Sequence, residues 1–98
     1  MAAAKALSDR GFSCALIDRE SSMGGILPQC IHNGFGLHRF GEELTGPEFS
    51  ARLERDVLSG SARFFPDTTV LSLAPNEGLF TALLSSEEGV SRLTARSV

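Results

Sequence analysis

Six nearly apolar residues, Phe12 to Ile17 (FSCALI), end at a carboxylate, Asp18, and five residues further on two glycines stand side by side, Gly24 and Gly25. No other feature of the 98-residue chain restricts its fold as strongly. An apolar run of this length without polar alternation marks a strand covered on both faces, as in a parallel α/β sheet. Open α/β sheets hold ligands at the carboxyl ends of their strands, which is where Asp18 falls. An acid at that point accepts hydrogen bonds from ribose hydroxyls in dinucleotide-binding folds, although a lone strand-end aspartate is as readily a solvated one. A glycine doublet admits close approach to the backbone and leaves its N–H groups unobstructed, although a lone doublet is as readily a plain turn. Strand, acid and doublet in this order point to a nucleotide site.

The rest of the chain supplies the other candidates. Cys30 and His32 are candidate redox or acid–base groups, because thiol and imidazole are the side chains most readily tuned near neutral pH. Cys30 has no near neighbour for a local redox disulfide, and zinc would need ligands beyond the loosely placed His38 and Glu42, so no metal is expected. Cys14 lies inside the apolar run and reads as a small core residue. Gly34-Phe35-Gly36 would let the backbone pass a flat ring, with Phe35 itself more typical of a core. Arg19, His38 and Arg39 are phosphate-compatible cations that read first as exposed surface. Residues 19–46 hold six glycines and one proline with little periodicity. Their many apolar side chains argue against disorder and for a compact segment folded over something.

Regular elements frame this segment. Met1 to Arg10 is alanine-rich and reads as a helix closed by Gly11. Thr45-Gly46-Pro47-Glu48 is a capping box, followed by a helix to about Ser59 with Phe49, Leu53 and Val57 along one stripe. Ala62 to Phe65 is a short strand candidate. Thr69 to Ala74, Leu79 to Ser85 and Val90 to Ala95 come next, separated by Asn76-Glu77-Gly78 and Glu87-Glu88-Gly89, and suggest an antiparallel meander. The fold expected is therefore α/β, with two helices, a short parallel sheet and a meander.

Composition excludes several classes. A net charge of -3 gives no electrostatic reason for nucleic acid or an anionic membrane as partner. No apolar run approaches the ~18 residues of a membrane span, and Asp9 and Arg10 interrupt any signal-peptide core. Two cysteines at unrelated positions fit a reduced, cytoplasmic protein.

The run ending at Gly25, A-x-x-L-x-x-x-G-x-x-x-x-L-I-D-R-x-x-x-M-G-G, resembles the second part of the FAD-binding motif of the two-dinucleotide-binding-domain flavoproteins. These are the pyridine nucleotide-disulfide oxidoreductase family. The continuation GGILPQCIHNGFGLHRFGEELTGPEFSARL is similar to a narrower group, NAD(FAD)-dependent dehydrogenases associated with glycerol-3-phosphate oxidation. The resemblance implies a partial FAD-binding, Rossmann-like domain over residues 1–98, cut at both ends. The N-terminal G-x-G-x-x-G turn and the NAD(P)-binding domain of the family are missing from it. It further implies that Asp18 binds the adenosine ribose with Arg19 beside it. Gly24 and Gly25 would lie along the diphosphate and ribityl region, and Cys30 and His32 near the flavin ring. Cys30 departs from the family's C-x-x-x-x-C pair, which leaves no basis for dithiol chemistry. The function implied is transfer of electrons between NAD(P)H, FAD and a small-molecule substrate or partner subunit. The rival expectation is a non-catalytic fragment or interaction module that completes, or is completed by, the remainder of a flavoprotein.

Overall fold

The computed structural model describes all 98 residues, which divide into two compact units: Met1–Leu16 with Ser22–Phe64, and Ile17–Ser21 with Phe65–Val98. Helix α1 covers Ala2–Asp9 and strand β1 Ala15–Ile17. One 3-10 turn follows at Leu27–Gln29, then helix α2 at Leu37–Phe40 and helix α3 at Gly46–Leu58. Strand β2 is Arg63–Phe65, and β3, β4 and β5 are Thr69–Asn76, Leu79–Ser86 and Gly89–Ala95.

In the first unit, the core is small and built from residues far apart in sequence. Ala4 of α1, Met23 and Val57 of α3 are its buried centre, with Cys14 and Leu16 partly buried against it. Alanine at position 4 lets α1 lie close, as its composition suggested. The helix ends where expected, with Gly11 at φ 81 and its N–H donating to the Ser8 carbonyl at 3.0 Å. Ser8 also ties this corner down, its hydroxyl accepting from the Ser61 N–H at 2.6 Å.

Helix α3 begins on the expected cap. The Thr45 hydroxyl accepts from the Glu48 N–H at 3.4 Å and donates to the Glu48 carboxylate at 2.8 Å. Its buried face is Gly46, Ser50, Leu53 and Val57, at helical spacings of four, three and four. Phe49, one turn before Leu53 on the same stripe, is half-buried and packs with other rings. At the helix start a Cβ on Gly46 would strike the carbonyls of Leu27 and Cys30, so α3 rests directly on the 3-10 turn.

Two expectations are corrected. The apolar run forms a strand only over Ala15–Ile17; Phe12 is 59% exposed and Ala15 is exposed, so the run is not covered on both faces. A two-stranded sheet offers no second layer to bury those side chains. The chain also has more helix than the two expected, because residues 19–46 fold a 3-10 turn and the short α2 within what read as loop. That segment does supply core, through Met23 and Leu44, yet it leaves Ile26, Ile31 and Leu37 exposed.

Strands β1 and β2 pair with each other. The Arg63 N–H donates to the Cys14 carbonyl at 2.8 Å, and the Asp18 N–H to the Phe65 carbonyl at 3.1 Å. Partner numbers rise together along the two strands, so the pair is parallel.

The second unit is dominated by the meander, in the order β3-β4-β5 with both pairings antiparallel. Asn76 opposes Leu79 across a two-residue turn, Glu77-Gly78, whose φ angles of 52 and 81 match the mirror-image turn that suits twisted hairpins. Ser86 opposes Gly89 across Glu87-Glu88. The central strand alternates as a one-sided sheet should, with Ala82 and Leu84 buried. All eight residues of β3 are exposed, and a bulge lies between Val70 and Ser72. Pro75 is tolerated there because β3 is an edge strand. No helix is long and apolar enough to cross a membrane.

Candidate functional site

The parallel pair positions Asp18. Strand β1 ends at Ile17, and Asp18 comes next with its main chain held on both sides. Its N–H bonds to the Phe65 carbonyl, and its carbonyl accepts from the Thr68 N–H at 2.9 Å. One carboxylate oxygen, Oδ1, accepts from the Glu20 N–H at 3.0 Å. This is the local turn that a short acidic side chain makes two residues ahead of itself. Oδ2 has no hydrogen-bond partner in the chain. The carboxylate is thus oriented by one bond and keeps an acceptor to spare.

Around Asp18 lies an open cleft of about 480 Å³ lined by Ile17, Asp18, Arg19, Thr68, Thr69 and Val70. All six belong to the second unit. The loop after β2 is fixed against the Asp18 segment by two bonds. The Asp67 N–H donates to the Glu20 carbonyl at 3.0 Å, and the Ser21 hydroxyl to the Asp67 carboxylate at 2.8 Å. Asp67 adopts φ 49 in this turn, and the buried Thr68 donates its hydroxyl to the Pro66 carbonyl at 2.7 Å.

Thr68, Thr69 and Val70 were not among the residues the sequence singled out. Their signal was present in the topology: parallel strands end on the same edge, so the residues just after β2 share that edge with those just after β1. As the first residue of β3, Thr69 carries no local mark of that shared edge.

The other candidates sit in the first unit. Gly24, at φ 114, comes close to a neighbour, but the neighbour is protein: a Cβ there would strike the Ser50 hydroxyl of α3. Gly25, at φ 57, faces open space. The doublet is therefore half packing device, half open turn. Cys30 is half-buried, its thiol 3.5 Å from the Ile26 carbonyl and its own carbonyl accepting from the Gly46 N–H at 2.7 Å. His32 is exposed; its Nδ1 lies 3.1 Å from the Asn33 carbonyl, and its ring centroid 5.1 Å from that of Phe35. No hydrogen bond joins the Cys30 thiol to the His32 imidazole, so the pair does not form a thiol–imidazole dyad. No three side chains of metal-ligating type are grouped to hold an ion.

Phe35, Phe40 and Phe49 form a ring cluster, with Phe35 stacked on Phe49 at 6.0 Å and Phe40 edge-on to it at 5.9 Å. Phe35 is accordingly a packing residue here, as its type favoured.

No protein-family model matches the sequence, and no curated protein does. Solved structures do match. An L-proline dehydrogenase from P. horikoshii superposes with a TM-score of 0.71 at 12% identity, over 95% of this chain and 18% of that one. CabE, an aromatic hydroxylase from angucycline biosynthesis, gives 0.70 at 17% identity, over 95% and 26%. BexE, described for its part in oxidation during BE-7585A biosynthesis, gives 0.69 at 14%, over 94% and 27%. The chain spans about a fifth to a quarter of the length of these proteins. At such identities the likeness establishes the fold: the parallel pair with its α/β surroundings and antiparallel meander recurs as one portion of larger redox enzymes.

Proposed function

We propose that this chain is part of the FAD-binding domain of an oxidoreductase that passes electrons between NAD(P)H, FAD and a small-molecule substrate or partner subunit. The observation that carries the reading is Asp18. It is a carboxylate at the carboxyl end of a parallel strand, oriented through Oδ1 by the Glu20 N–H and lining an open cleft. The sequence resemblance from the glycine doublet onward and the fold shared with portions of a dehydrogenase and a hydroxylase support it.

The residues fit the cofactor in a specific way. A vicinal diol donates two hydrogen bonds, and the free Asp18 oxygen offers the charged acceptor that makes such a bond strong. Arg19, exposed beside it, supplies the cation for a nearby phosphate. At the doublet, Gly25 has the open space that a cofactor's backbone contact requires, whereas Gly24 is committed to α3. Cys30 and His32 are the candidate groups near the reacting ring, where the resemblance puts them. FAD, when bound, supplies the redox chemistry, and the protein's part is to hold and orient it. The family that the sequence resembles would further assign glycerol or glycerol-3-phosphate as the substrate oxidised, in a cytoplasmic setting.

The test is titration of the chain with adenosine diphosphate ribose, monitored by amide chemical shifts. Shifts confined to Asp18, Arg19 and Thr68 to Val70 are expected, and Asp18→Ala should weaken binding about tenfold, as loss of a charge-assisted bond does. Binding that is indifferent to Asp18→Ala would remove the carboxylate from the site.

A further inference from the structure

In the first unit, residues 36–43 leave the body of the chain and return to it through a narrow neck. Phe35 and Leu44 exchange both main-chain hydrogen bonds, at 3.0 and 2.8 Å, and form an isolated antiparallel bridge. The neck is firmly seated, since Leu44 is 5% exposed. The segment it closes off is not. Leu37, His38 and Arg39 are exposed, and α2 buries no residue completely. Glycines stand at both ends of this one-turn helix, Gly36 at φ 85 and Gly41 at φ 70, a conformation other residues adopt only under strain. They serve as two joints on either side of a rigid turn.

Few contacts hold the turn down, and they converge on α3, chiefly on one residue. Phe40 packs edge-on against Phe49. The Arg52 guanidinium lies 5.3 Å from the Phe40 ring centroid and donates to the Glu42 carboxylate at 2.8 Å. Arg52 thus grips the segment at two points, one aromatic and one ionic. Gly36 fills the space beneath, where a Cβ would lie 3.1–3.3 Å from Leu44, Phe40 and Phe49.

We propose that residues 36–43 are a flap that swings as one body on the Phe35–Leu44 neck and is latched by Arg52 through Glu42 and Phe40. Opening bares the ring of Phe49, on which Phe35 is stacked, and so exposes an aromatic floor that the closed flap covers. The latch is tuned by ionic strength, because its ion pair is partly solvated, with side-chain exposures of 34% and 57%. Such a pair contributes little individually and is weakened by salt. Segments fixed by so few buried contacts open locally long before the whole unit unfolds.

Hydrogen exchange of the full chain, read by mass spectrometry, tests this. The amides of Phe40 and Gly41 should exchange together and faster than those of Leu53 to Leu58 in α3. Arg52→Gln should speed the flap amides about two- to fivefold and leave α3 unchanged, matching the small worth of a partly exposed pair. Raising salt to about 0.5 M should do the same to the unaltered chain. The reversed pair, Glu42→Arg with Arg52→Glu, should restore protection at low salt. Flap amides that exchange in step with α3 would show that the segment opens only with the whole unit. Flap rates indifferent to both salt and Arg52→Gln would show that there is no latch. Either outcome overturns the proposal.

Discussion

The two units are stabilised in opposite ways. The first depends on side-chain burial at a handful of positions: Met23 and Val57 are 2% and 1% exposed, and much of the chain around them is irregular. The second depends on the ladder, with three strands joined by short turns while an entire edge strand stays exposed. Burial is worth about 1.5–3 kcal/mol for each large apolar side chain, whereas a typical hydrogen bond adds only about 1 kcal/mol net. Damage should therefore be concentrated in the first unit and spread thinly in the second.

The largest expected effect is at Met23. Met23→Ala should cost about 2–5 kcal/mol in denaturant unfolding, with Met23→Leu recovering most of it. A cost below about 1 kcal/mol would mean that the core around Val57 collapses to fill the space, and the contrast between units would fail. Next comes a pair of glycines. Gly46→Ala forces a methyl group into the Leu27 and Cys30 carbonyls and should cost about 1–3 kcal/mol or more. Gly78→Ala meets open space and carries only the penalty of its φ of 81, about 1–2 kcal/mol. Thermal melts that rank Gly78→Ala above Gly46→Ala would reverse the assignment of packing to the first unit and conformation to the second. Thr45→Ala, which removes the cap of α3, should cost about 1 kcal/mol. The smallest effect is expected on the exposed edge. Leu73→Ala should shift stability by no more than about 0.5 kcal/mol, and a larger loss would show that β3 is covered in solution.

The same contrast explains what could be read from the sequence. The meander was legible almost to the residue, since its signals are local: Gly78 and Gly89 sit at the turns, and apolar residues recur along each strand. Helix α3 was legible for the same reason, through Thr45 and Glu48 at its start. The interior of residues 19–46 was not. Gly36 and Gly41 read as loop residues because glycine marks a joint whether it lies in a loop or at the end of a one-turn helix. Phe12 reads as a strand residue because apolar character alone does not reveal whether a second layer exists to cover it. Of the candidate site, Asp18 and Arg19 were legible from the strand before them. Thr68 to Val70 were not, because they reach the cleft only through pairing between strands far apart in sequence.

That separation has a kinetic consequence. Ser8 and Ser61 meet although they stand 53 positions apart in sequence, and Ala4 and Val57 share a core across the same interval. The meander, by contrast, joins each strand to the next through a tight turn. Bringing distant residues together requires closing a long loop before any contact rewards it, whereas hairpins of adjacent strands form on a scale of about 1–10 µs. The chain should thus assemble its ladder first and its core last. The carboxylate cleft would be complete only when the second parallel strand has been recruited.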